Sequence, residues 1–153
     1  MRIYLTVKYF GGGPKAFALF TLRSERHHIF GKIEAFIDTG SPDTTLGLKD
    51  IKSLHIPTKS LPPEAVSYVG GSTTRLRSLG NVTLYFKDEE NEPVKINLQK
   101  IYVAEPLEHD EKTLNIFSTI PSMIGTDFLL INNFSFFFNP SKRIAYLEKE
   151  EQS

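Results

Sequence analysis

The chain has 153 residues, 40% of them hydrophobic, which suits one domain over residues 1–153 with a real core and does not suit a disordered segment. Lys plus Arg number 18 and Asp plus Glu number 18, so the charge balance gives no support for nucleic acid or an anionic membrane as a partner. There is no cysteine, which excludes disulfides and thiolate metal sites.

At the N-terminus, Met1-Arg2-Ile3-Tyr4 lacks a basic region followed by a long apolar core, and no stretch approaches the length of a transmembrane helix. Cytoplasmic residence is the resulting expectation. Ile3, Leu5, Val7 and Tyr9 alternate with polar or tyrosine positions, the period of a strand. Gly11-Gly12-Gly13-Pro14 ends that strand and, without a following Lys-Ser/Thr, reads as a turn rather than a phosphate loop. A second strand is expected near Ala16 to Leu22, with a turn over Arg23 to Arg26. A third runs from about His28 to Asp38, and a short helix covers roughly Leu48 to Leu54.

Farther on, Ala65 to Leu76 carries glycines at the centre of a hairpin pattern. Asn81 to Phe86 and Val94 to Val103 read as another hairpin, turned by the polar run Asp88 to Pro93. A second short helix follows Gly125, with Phe128 and Leu129 turned inward, and a last hairpin joins Phe134 to Phe138 with Ile144 to Leu147. Three consecutive phenylalanines, Phe136 to Phe138, cannot all face one side of a strand, so some must meet a second layer or a partner. Glu148 to Ser153 is charged and expected to be loose.

Within this mostly β pattern the most informative run is Phe36-Ile37-Asp38-Thr39-Gly40-Ser41, an apolar strand that carries an acid outward into a tight turn. Ser122-Met123-Ile124-Gly125 lies far downstream. These two runs, with the glycine-containing hairpin between them, resemble the signature of retropepsin-like aspartic proteases, the small single-domain form that works as a homodimer. The resemblance spans about Ala16 to Leu147 and rests on motif and order. It implies a closed or partly open β-barrel of the acid-protease type with one or two short helices. It also implies hydrolysis of a peptide or unfolded-protein substrate, with Asp38, Thr39 and Gly40 as the catalytic triplet and no metal or organic cofactor. A single Asp-Thr-Gly is half an active site, so two copies must meet.

The same resemblance assigns the remaining roles. Ser41 and Ile124 would line the substrate site, Met123 reading rather as core, and Asp43, five residues on from Asp38, would contact substrate backbone or brace the loop. Tyr68, Val69, Gly70 and Gly71 would belong to a mobile flap. A Ser41 hydroxyl donating to the carboxylate would lower its pKa. Asp50 reads as part of a solvated helix face. One departure from the retroviral enzymes is visible: they interleave short N- and C-terminal strands to close the dimer, whereas this chain has an extended front segment and a C-terminal hairpin.

Other chemistries find little support. His27, His28, His55 and His109 form no metal-binding helix, the first two sitting on opposite faces of an expected strand. Gly-x-Ser-x-Gly is absent. Two other readings stay open. The fold can serve as a non-catalytic dimerisation or peptide-binding module, or the Asp-Thr-Gly can be an ordinary turn in another small β-barrel.

Overall fold

The computed structural model describes residues 1–69 and 72–151. The chain is mostly β. Its strands are β1 (Arg2–Phe10), β2 (Gly13–Ser24), β3 (Ile29–Ile37), β4 (Thr45–Leu46), β5 (Pro63–Val69), β6 (Ser72–Ser78), β7 (Val82–Lys87), β8 (Pro93–Leu98), β9 (Tyr102–Pro106), β10 (Ser122–Ile124), β11 (Ser135–Asn139) and β12 (Ile144–Glu148). Three short helices, α1 (Leu48–Ser53), α2 (Glu111–Ser118) and α3 (Thr126–Asn132), and a 3-10 turn at Thr58–Ser60 complete it. Among the described residues, no helix is long and apolar enough to cross a membrane.

The strands run in the order β11-β12-β1-β2-β3-β10-β4-β9-β6-β5, with β7 and β8 branching from β2. The sheet does not close: its path ends at β11 on one side and β5 on the other. Of the two expected forms, closed or partly open, the sheet takes the partly open one. Period-2 burial decides which face each strand turns inward. In β2, Ala16, Ala18, Phe20 and Leu22 enter the main core, while Lys15 and Leu19 lie outside it. β1 changes partner halfway, pairing Arg2–Leu5 with β12 and Thr6–Phe10 with β2.

A chain of rings runs through the core: Phe20–Phe86 at 5.0 Å between centroids, Phe86–Phe128 at 5.7 Å and Phe128–Phe134 at 5.6 Å, the last pair stacked. Phe128, fully buried, ties α3 to this core. On β11, Phe136 and Phe138 stack on one another and pack against the core, whereas Phe137 faces outward and stacks on Tyr146. The alternation demanded of three consecutive phenylalanines is thus met within one chain.

Several expectations need correction. Val94 to Val103 is not one strand: β8 stops at Leu98, and β9 turns away to pair with β4 and β6. α2 was not anticipated. Asp110 caps it by accepting the Thr113 N–H at 3.1 Å, and Thr113 and Phe117 form its buried stripe. His27 and His28 lie in the turn before β3, with His28 at φ 54°, so they do not alternate across a strand. The end of the chain is tied as far as Lys149: Arg2 pairs with Glu148 at 2.5 Å, and the Lys149 N–H donates to the Met1 carbonyl at 3.0 Å.

Candidate active site

The strand β3 delivers Asp38. Its parallel neighbour β10 pairs Ser122↔Ala35, Met123↔Phe36 and Ile124↔Ile37, and the ladder continues one step farther as the Asp38 N–H donates to the Ile124 carbonyl at 2.9 Å. The chain then turns sharply. The Ser41 N–H donates to the Asp38 carbonyl at 3.1 Å, and the Gly40 N–H donates to the Asp38 carboxylate at 3.0 Å. A Cβ on Gly40 would lie 3.3 Å from that same carboxylate oxygen, so glycine keeps the approach open. Asp38 is half-buried, while Thr39 and Gly40 are exposed at the tip of the loop.

From behind, the loop is held by the start of α3. The Thr126 N–H donates to the Ser41 carbonyl at 2.9 Å, and the Asp127 N–H donates to the Pro42 carbonyl at 3.2 Å. The Thr44 N–H and hydroxyl donate to the two Asp127 carboxylate oxygens at 3.1 and 2.7 Å, and the Thr44 hydroxyl accepts from the Gly125 N–H at 3.1 Å. Gly125 fits because it has no side chain: a Cβ there would lie 2.5–2.8 Å from the backbone of Asp43. Any larger residue would push the loop and the helix apart.

In front of Asp38 opens a cavity of about 490 Å³. Phe36 and the β1–β2 hairpin, through Phe10 and Lys15, wall one side. Leu76, Ile120 and Met123 wall the other, backed by the second apolar cluster around Ala104 and Phe117. Gly40, Ser41, Pro42, Asp43 and Thr45 also line the cavity, as does Ser67 of β5.

The residues singled out in the sequence separate clearly. Asp38, Gly40, Ser41 and Asp43 share the cavity. The Ser41 hydroxyl, however, donates to the Asp43 carbonyl at 2.9 Å and not to the Asp38 carboxylate, so the geometry gives no basis for the expected acidifying contact. Burial pushes the Asp43 carboxyl up, and the neighbouring Asp127 charge adds to that, while Lys100 opposes it. Ile124 is fully buried in the main core and meets the site through its backbone; Met123, read as core, is the neighbour that lines the cavity. The period of β10 explains the exchange, since adjacent side chains point to opposite faces. Tyr68 and Val69 belong to β5 by their backbone, paired with Thr73 and Ser72, whereas Gly70 and Gly71 lie outside the described residues.

Sequence reasoning missed Thr44, Asp127, Phe10 and Lys15. An acid in the first turn of a helix is a readable signal for Asp127; nothing local marks the others. Asp50 was misplaced. It is half-buried, and its carboxylate accepts the Ser122 hydroxyl at 2.5 Å, while the same hydroxyl oxygen accepts from the Gly47 N–H at 2.9 Å. Burial raises the Asp50 pKa, with the Ser122 hydrogen bond working against it.

No protein-family model matches the chain, and no curated protein matches it. Among solved structures, the crystal structure of a retropepsin-like aspartic protease from Rickettsia conorii matches with a TM-score of 0.53 at 16% sequence identity, over 96% of this chain and 90% of that one. A likeness at that identity speaks for architecture and not for activity: this chain has a retropepsin-like fold.

Proposed function

We propose that this protein is an aspartic endopeptidase active as a homodimer, Asp38 of each subunit supplying one of two catalytic carboxylates. The observation that carries the reading is the placement of Asp38. A carboxylate on a tightly hydrogen-bonded turn faces an open cavity of about 490 Å³, and the loop is braced from behind by β10 and α3. A turn that merely ended a strand would need neither the brace nor the cavity.

Two such carboxylates brought close cannot both ionise, so they share one proton. The ionised member takes a proton from water as the water oxygen attacks the scissile carbonyl carbon. The protonated member donates a hydrogen bond to the carbonyl oxygen. Collapse of the tetrahedral intermediate breaks the C–N bond, and the leaving nitrogen takes a proton from the pair. The two apparent pKa values belong to the pair and not to either residue. This chemistry calls for no metal and no organic cofactor.

Thr39, exposed at the loop tip, is suited to brace the opposite loop across the two-fold axis. Gly40 orients the carboxylate. Ser41 and Asp43 lie where an extended peptide would pass, and β5 and β6, with Tyr68 and Val69 at the end of β5, would close over it. In this chain β1 pairs with β12 of the same copy, unlike the interleaved terminal strands of retroviral enzymes.

The test is digestion of an unfolded-protein peptide mixture from acidic to neutral pH, beside Asp38→Asn. Cleavage by the parent and none by the variant is the expected result. Specific activity should also fall on dilution through the dimer dissociation constant. A folded dimer that cleaves nothing at any pH would instead point to a peptide-binding module.

A further inference from the structure

Beside Asp38, the outer face of β1, β2 and β3 carries a second aromatic cluster that is separate from the main core. Phe17 and Phe36 are cross-strand partners with ring centroids 6.1 Å apart, and Phe10 lies 6.4 Å from each. Phe17 and Phe36 are 6% and 9% exposed, whereas Phe10 is 36% exposed and opens onto the cavity. Over this cluster stand two lysines that the β1–β2 register places directly opposite one another, Lys8 and Lys15. Like charges in that relationship repel unless each finds a counter-charge.

Among the described residues only one of them is neutralised. Lys8 forms an ion pair with Glu34 and sits over the Phe17 ring at 4.6 Å. Lys15 has no carboxylate partner among the described residues. Its ammonium lies 5.9 Å from the Phe36 ring centroid, on the rim of the Asp38 cavity. β2–β3 pairing ends at Phe17↔Phe36, and Lys15 and Asp38 each stand two residues beyond it, which brings both to the same end of the sheet. Neither carboxylate lining the cavity, Asp38 or Asp43, forms an ion pair with Lys15.

We propose that Lys15, with Phe10 and Phe36, forms a subsite that selects an acidic side chain of the bound peptide. The inference rests on the cavity being a peptide cleft, as proposed above. The aliphatic part of a glutamate or aspartate would lie against the rings, and its carboxylate would meet the ammonium. A charge-assisted contact of this kind beside apolar walls is stronger than the same contact in open water, and it weakens as salt rises. The expected discrimination is about tenfold in favour of Glu over its neutral isostere Gln at one fixed position.

The experiment separates this subsite from catalysis. A random peptide pool is passed over immobilised Asp38→Asn protein, which binds without cutting, and the retained peptides are sequenced. The same is done with Asp38→Asn carrying Lys15→Met or Lys15→Glu, after melting curves establish that each is folded. Acidic residues enriched at one position, lost with Lys15→Met and replaced by Lys or Arg with Lys15→Glu, is the expected outcome. An identical profile from all three proteins would overturn the proposal, as would retention of no peptide. A Lys15→Met protein that changes its dimerisation while keeping its peptide profile would also overturn it, by making Lys15 a subunit contact. If the parent proves unable to cleave, the protease reading falls while the selection still reports on the subsite.

Discussion

Thr44 gives both its backbone N–H and its hydroxyl to the carboxylate of Asp127, 83 positions later in the chain, at 3.1 and 2.7 Å. That one side chain joins the loop carrying Asp38 to the first turn of α3. Replacing Asp127 with alanine leaves the buried Thr44 N–H and hydroxyl without their acceptor, at a cost of about 2–3 kcal/mol. Asp127→Ala should therefore lower the urea midpoint and weaken cleavage, and Asp127→Asn, which keeps one acceptor oxygen, should recover part of both. Parent-like stability in Asp127→Ala would mean that the brace is not energetically coupled to the fold.

Gly125→Ala tests the close approach of helix and loop. The new methyl would meet the Asp43 backbone at 2.5–2.8 Å, and main chain cannot move aside as a flexible side chain can. The expected loss is about 2–3 kcal/mol, in the range of overpacked cores. Denaturant titration checks it; a loss below about 1 kcal/mol, ordinary for a helix N-cap exchange, would show that the contact relaxes freely.

Asp50 carries a prediction about pH. Burial raises its folded pKa above the unfolded value, so the folded protein holds this proton more tightly. The group's favourable contribution is fully present below the unfolded carboxylate range, near about pH 4, and is lost as pH rises through the raised folded value. Asp50→Asn keeps an oxygen for the Ser122 hydroxyl and removes the charge. Its melting temperature should exceed the parent's at neutral pH, with the gain vanishing below about pH 4. A variant less stable than the parent at pH 7 would contradict this.

The ring chain through Phe128 makes the packing prediction. Phe128 is fully buried between Phe86 and Phe134 and anchors α3 behind the Asp38 loop. Phe128→Ala should cost about 3–5 kcal/mol. By contrast, Glu148→Ala, which removes only the exposed pair with Arg2, should cost under about 1 kcal/mol. Comparable losses in the two variants would mean that the Arg2–Glu148 pair contributes as much as the buried ring packing.

Much of the architecture was legible because it is local. The period-2 runs of β1, β2, β3 and the β11–β12 hairpin state their own faces, and Asp38-Thr39-Gly40 announces its turn. What was missed depends on distant partners. Nothing near Leu98 says that the strand stops there, because the reason is the pairing of Tyr102 and Val103 with Thr45 and Leu46. Asp50 looks solvated on its own helix, and only Ser122, 72 positions away, covers it. α2 buries so narrow a stripe, Thr113 and Phe117, that its period is almost invisible, though its Asp110 cap was there to be read. Lys15 looked like any strand lysine until the register set it against Lys8.

The way β1 divides its partners bears on how the protein is made. Its second half can pair with β2 as soon as that hairpin leaves the ribosome, but Arg2–Leu5 pairs only with β12, Ile144–Glu148. Until then Ile3 and Leu5, 3% and 9% exposed in the finished fold, have no sheet to close against. At about 5–20 residues per second the nascent chain carries that unfinished edge for several seconds or more. Pairing of this half of β1 thus waits until Ile144–Glu148 has been made, and a ribosome stalled before Ile144 would present an apolar half-strand to chaperones.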